Sequence, residues 1–259
     1  MLGSCFADEI GAQMIQRGLH VTCNPFGTLY NPLSIAQAIT LQPSDFGPQL
    51  VYHEGLWHSM AHHGSLSRAD KNEAERVVRA SIETMQQALN EATVVIVTFG
   101  TAWVYEAKDE RLKMNGAIVG NCHKLPETMF TRRRLTEQEI IDAWQPILDR
   151  YSDKHWLFTV SPIRHIRDGL HENQLSKATL LQAVEQLGSY FPSYEIMLDE
   201  LRDYRFYADD MVHPSSLAVN YIWERFVQTY CAPQTINEMA NQLKRWKQTQ
   251  HRPIHEYTK

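Results

Sequence analysis

Apolar positions along this chain follow two periods, and the switches between them mark the elements. Arg68–Glu91 spaces Val77, Val78, Ile82, Met85 and Leu89 at close to one helical turn, which predicts a long amphipathic helix. Thr93–Phe99 follows, a largely β-branched run closed by Gly100. A run without alternation predicts a central strand buried on both faces. His155–Val160 reads as the next such strand, and Ser176–Tyr190 as a helix capped by Ser176. Helices are also predicted over Phe6–Gly18, over Pro32–Leu41 with proline in its first turn, and over Thr136–Tyr151. In the last of these, Thr136 and Glu139 form a capping box. Ser215–Tyr230 and Thr235–Gln250 complete the set of helices.

His20–Phe26, Tyr194–Met197 and Arg205–Tyr207 read as further strands. Trp103–Val119 reads as an excursion with a hairpin at Asn115-Gly116, and Val51–His63 as irregular chain rich in His and Trp. Strands alternating with helices imply an α/β fold, a parallel sheet with helices on both faces. Chemistry in such sheets sits beyond the carboxyl ends of the strands. That rule selects Gly3–Ala7, Asn24–Asn31, Gly100–Tyr105, Ser161–His165 and Asp209–Ser215.

Composition narrows the function class. The chain has 259 residues, 43% hydrophobic and 21% charged, with a formal net charge of −5. This is globular composition, and the negative balance argues against a nucleic-acid partner. No apolar stretch approaches the roughly 20 residues of a membrane span, so no membrane partner is expected. Without a signal-peptide pattern at the start, a cytoplasmic location is expected. Cys5, Cys23, Cys122 and Cys231 contain no C-x-x-C pair and are expected to be free thiols.

Two short segments carry candidate chemistry. Gly3-Ser4-Cys5-Phe6-Ala7 opens the first helix, where backbone N–H groups are poised to stabilise an oxyanion. Asp210-Met211-Val212-His213 puts a carboxylate and an imidazole three residues apart, ahead of Pro214. Asp210 can then hold one ring nitrogen of His213 and leave the other as a base for a serine hydroxyl. Cys5 is expected to face the core as small thiols usually do, although a thiol at a helix N-terminus can also act as a nucleophile.

His53, His58, His62 and His63 cluster, and His58 and His62 are four apart on what would be one helix face. The glutamate of an H-E-x-x-H site is absent, so no metal is assigned. Arg132-Arg133-Arg134 is expected to be a solvated face. Trp57 and Trp103 are expected to pack, although either ring can stack on a sugar.

Gly3-Ser4-Cys5-Phe6-Ala7 is the signature of the GSCFA family, a group that resembles the SGNH/GDSL hydrolases. Further stretches fit it in order: Asn24-Pro25-Phe26-Gly27-Thr28-Leu29-Tyr30-Asn31-Pro32, Thr98-Phe99-Gly100-Thr101-Ala102-Trp103, Asn121-Cys122-His123-Lys124, Ser161-Pro162-Ile163-Arg164-His165 and Asp210–Ser215. The resemblance runs from Gly3 to about Tyr230 and implies a flavodoxin-like three-layer α/β/α fold. It implies a domain over 1–232, with a C-terminal helix and tail over 233–259.

Carried over residue by residue, Ser4 matches the nucleophile, His213 the base and Asp210 the orienting acid. Ser4, Gly27, Gly100 and Thr101 match the oxyanion positions, with Thr101 where the SGNH pattern has Asn. His63, Asn121, His123, Lys124, Arg164 and His165 are the expected substrate contacts. Only three residues precede Ser4, so the first strand is expected to be truncated or vestigial. The expected activity is that of an esterase or deacetylase acting on a small-molecule or carbohydrate-linked ester without a cofactor. An acyltransferase with the same triad and a catalytically inactive binding module are the alternatives.

Overall fold

The computed structural model describes residues 1–44, 50–112, 114 and 116–250. Asn115 of the expected turn and the tail beyond Gln250 lie outside the described residues. In chain order the first elements are β1 (Leu2–Gly3), α1 (Cys5–Gln16), α2 (Pro32–Thr40), β2 (Leu50–His53), β3 (Leu56–Ser59), α3 (Lys71–Glu91) and β4 (Val94–Phe99). They continue with β5 (Trp103–Ala107), β6 (Ile118–Val119), β7 (Phe130–Arg134), α4 (Glu137–Arg150), β8 (His155–Val160), α5 (Leu170–Leu187) and β9 (Ser189–Phe191). Helices Ser216–Tyr230 and Pro233–Gln250 close the described chain.

The central sheet is parallel throughout, in the order β1-β4-β8-β9. Alternation along its strands divides the interior in two. Val95, Val97, Phe99, Phe158 and Val160 face one core, with residues of α2 to α5. Leu157 faces the other, with Phe6 and Ile10 of α1 and Ile222, Trp223 and Phe226. This is a three-layer α/β/α arrangement. The last helix docks on the α1 side by burying Met239.

Local signals place most helices. Asp70, Thr136 and Ser215 each accept an N–H from the first turn of their helix, and the Thr136–Glu139 capping box forms in full. Elsewhere tertiary contacts override local pattern. Thr22 O takes the Met1 amine, and Asn24 donates its N–H to Met1 and accepts from Gly3 through Oδ1. His20–Phe26 therefore runs beside β1 as irregular chain, not as the expected strand. Tyr194–Met197 is helical, and Arg205 lies in a single 3-10 turn. Ser176 caps nothing. The helix starts at Leu170, and Ser176 Oγ accepts the Ala102 N–H at 2.8 Å.

β5 pairs with both β6 and β7 as a small antiparallel sheet. The expected hairpin is thus the β5–β6 connection. The arginine run lies on β7. Its members are ion-paired with Asp168 (Arg132), with Glu106 and Glu139 (Arg133) and with Glu172 (Arg134), so this run is not merely solvated.

Trp144 is the largest fully buried side chain. It donates to Pro32 O at 3.1 Å and packs edge-on against Phe99 and Phe158. Trp144→Ala is expected to cost about 3–5 kcal/mol, lowering the thermal midpoint by about 6–20 °C. Calorimetry checks this, and a shift under about 2 °C contradicts it.

Candidate active site

The turn after β1 decides which side chain faces outward. Gly3 has φ +130°, and a Cβ there would stand 2.1 Å from the Thr98 carbonyl oxygen. Glycine alone tolerates both. Ser4 then donates its N–H to Thr98 O, and α1 starts at Cys5. Ser4 is 0% exposed and its Oγ has no hydrogen-bond partner. Cys5 is half-buried, with Sγ 3.8 Å from His213 Nε2.

Asp210 Oδ2 lies 2.6 Å from His213 Nδ1. Its Oδ1 accepts the N–H groups of Val212 and His213, both at 2.9 Å. These bonds, led by those from the backbone, hold the carboxyl down at about 2. A carboxylate on Nδ1 selects the tautomer that leaves Nε2 as the proton acceptor. Both side chains are about half exposed, at 48% for His213 and 50% for Asp210, so the pair stands on an open rim.

Burial pushes the Cys5 thiol up, opposed by its own N–H and that of Phe6, and reinforced by Asp8 and Glu9. The resting sulfur is a thiol that needs a base. Around it stand Tyr30, whose hydroxyl is pushed up by burial and by the Cys5 sulfur, and His165, whose ring meets that of Tyr30 edge-on at 5.6 Å. A side chain at Gly100 would come within 3.0 Å of His165 Nε2 and Tyr30 O, and within 3.3 Å of Ser4 Cβ. Below them Lys177 is 1% exposed and donates to Gly100 O at 2.6 Å and Ser161 O at 2.7 Å. Burial pushes its pKa down to about 7. The bonds tie together the carboxyl ends of β4 and β8.

The N–H groups expected to form an oxyanion hole are committed elsewhere. Ser4 donates to Thr98 O, Gly27 to Asn24 O, and both Gly100 and Thr101 to Tyr30 O. The Thr101 hydroxyl bonds Ser176. These turns are closed by their own backbone hydrogen bonds. The Cys5 and Phe6 N–H groups at the helix N-terminus are directed instead at the Cys5 sulfur.

The other expected contacts divide. Arg164 and His165 lie on the rim with His213; Arg164 donates its N–H to Val212 O and Nη1 to Met211 O. The remaining four lie apart from His213 in the hydrogen bonds they make. His63 donates its N–H to Phe26 O. Asn121 accepts from the His123 N–H. His123 is buried, bonding Ser59 O and stacking on His58. Lys124 is exposed. His58 lies on β3, so it shares no helix face with His62.

The motifs around this cluster run from β1 to the Ser216–Tyr230 helix, and a family model follows the same extent: the GSCFA family matches residues 1–226. The chain belongs to the GSCFA family. No curated protein and no solved structure matches it. In this GSCFA protein one element of the site, Lys177, escapes motif reading. For Lys177 a signal exists. It shares the buried face of α5 with Asn173, Ser176, Leu180, Ala183, Val184 and Leu187, where a lysine is out of place.

Among the described residues no three His, Cys, Asp or Glu side chains gather as a metal site, and no helix is long and apolar enough to cross a membrane. All four cysteines are free.

Proposed function

We propose that this GSCFA-family protein is an acyl-ester hydrolase of SGNH-like organisation whose nucleophile is Cys5, not Ser4. The observation that carries the reading is the 3.8 Å approach of Cys5 Sγ to His213 Nε2, with Asp210 at 2.6 Å from the other ring nitrogen. The buried Ser4 hydroxyl has no hydrogen-bond partner, whereas the half-buried Cys5 thiol lies beside His213.

In this mechanism His213 Nε2 takes the thiol proton as the sulfur attacks the acyl carbon, and Asp210 stabilises the imidazolium. The N–H groups of Cys5 and Phe6 face the sulfur and the oxyanion forming on its substrate. The imidazolium returns its proton to the leaving alkoxide. His213 then deprotonates a water that cleaves the thioester and restores the thiol. The open rim suits a small ester.

Intact-protein mass spectrometry during turnover of 4-nitrophenyl acetate tests this. An acetyl adduct is expected on Cys5, placed by fragmentation of the peptide that holds both Ser4 and Cys5, and it should be lost in His213→Ala. An adduct on Ser4, or adduct formation independent of His213, refutes the assignment.

A further inference from the structure

Arg164 is an arginine without a counter-ion in a neighbourhood where arginines are paired. Arg132, Arg134, Arg167 and Arg205 meet Asp168, Glu172, Glu127 and Asp203. Among the described residues no carboxylate lies within ion-pair distance of Arg164. Its guanidinium lies over the Tyr207 ring at 3.9 Å and within 5.5 Å of the Tyr204 ring. Nη1 is bound to Met211 O at 3.2 Å, two residues before His213. One carbonyl uses one donor of a planar fork that has several. On the same loop, the Asp210 carboxylate is engaged by His213 and two backbone N–H groups.

The cation is thus fixed in direction by two aromatic faces and a carbonyl. It is partly desolvated, left unneutralised, and held on the strip of chain that carries the catalytic base. A guanidinium so prepared matches a planar carboxylate or a phosphate in bidentate fashion. A role confined to pinning the loop needs only the Met211 and Val212 bonds. It leaves the other donors of the fork unused beside the strip that carries His213.

We propose that Arg164 is the recognition residue for an oxyanion on the substrate, so that the ester turned over at Cys5 carries a carboxylate or phosphate group. This rests on the acyl-ester reading above and adds the substrate class.

The test compares alkylation of Cys5 by iodoacetate and by iodoacetamide in the full chain, read on the peptide that contains Cys5, with Cys231 as internal reference. The two reagents differ by one negative charge. In Arg164→Gln the ratio of the iodoacetate to the iodoacetamide rate is expected to fall on the order of tenfold, the size of one charge-assisted hydrogen bond. Arg164→Lys should restore part of it. A role in loop pinning alone slows both reagents together, and an unchanged ratio overturns the proposal.

A second measurement needs no variant. Succinate or inorganic phosphate should protect wild-type Cys5 from iodoacetamide, and whichever protects at lower concentration tells carboxylate from phosphate. Protection by neither overturns the proposal. The hydrolase reading fails separately, if His213→Ala leaves the alkylation of Cys5 by both reagents unchanged.

Discussion

Cys5→Ala is expected to abolish ester turnover, with a loss on the order of 10³–10⁶-fold, the range found when a member of a catalytic triad is removed. Ser4→Ala should cost less than about tenfold. The contrast follows from geometry. Cys5 Sγ is the atom His213 Nε2 reaches, and Ser4 Oγ is enclosed without a hydrogen-bond partner. Replacing Ser4 removes a hydroxyl that makes no hydrogen bond, and fold and site should both persist. Removing Cys5 leaves His213 and Asp210 with no group to activate. Steady-state kinetics on folded variants, with circular dichroism to establish folding, checks the pair. The opposite order, with Ser4→Ala inactive and Cys5→Ala active, would return the nucleophile to Ser4.

The second large effect is acid lability. Burial first of all pushes His62 down to about 3, His123 to about 4 and His165 to about 3. His62 is fully buried against Phe26 and bonds Ser59, and His123 stacks on His58. All three stay neutral in the folded protein at a pH where the unfolded chain, with ordinary histidine values near 6.5, takes up protons. The unfolded state then binds more protons, so stability rises with pH and falls as pH drops below about 6.5. The loss continues to about pH 3–4, where the folded rings also protonate. At pH 5 each ring costs about 2 kcal/mol, together about 6 kcal/mol. That is a large part of the roughly 5–15 kcal/mol by which domains are stable.

Thermal midpoints measured between pH 7.5 and pH 5 should fall steeply, and His62→Asn should flatten the fall. A midpoint independent of pH over that range would show that these rings are not held neutral. Asp210 adds nothing in this window. Its carboxyl is held at about 2, so its stabilising contribution is lost only well below pH 5.

The α/β class, the parallel sheet and most helix ends were legible in the chain because they depend on neighbours in sequence. The β-branched run Val94–Phe99 can bury both faces in only a few ways, and the Thr136–Glu139 box closes within one turn. The Asp210–His213 pair was legible for the same reason, since three residues of turn bring carboxylate and imidazole together. Segments whose partners come from far along the chain were not. His20–Phe26 spends its polar groups on Met1 and Gly3, and Ser176, read as a cap, reaches across to Ala102.

The sequence by itself therefore determined the architecture, the family signature and the pairing of Asp210 with His213. Which atom the base reaches was decided by the tertiary structure. At the β1–α1 turn, a one-residue step rotates the side chain from the core to the rim. Only the Thr98 carbonyl pressed against Gly3, and the loop 208 residues away from Cys5 that carries His213, settle that Cys5 faces outward and Ser4 inward. Both are long-range contacts that no local pattern encodes.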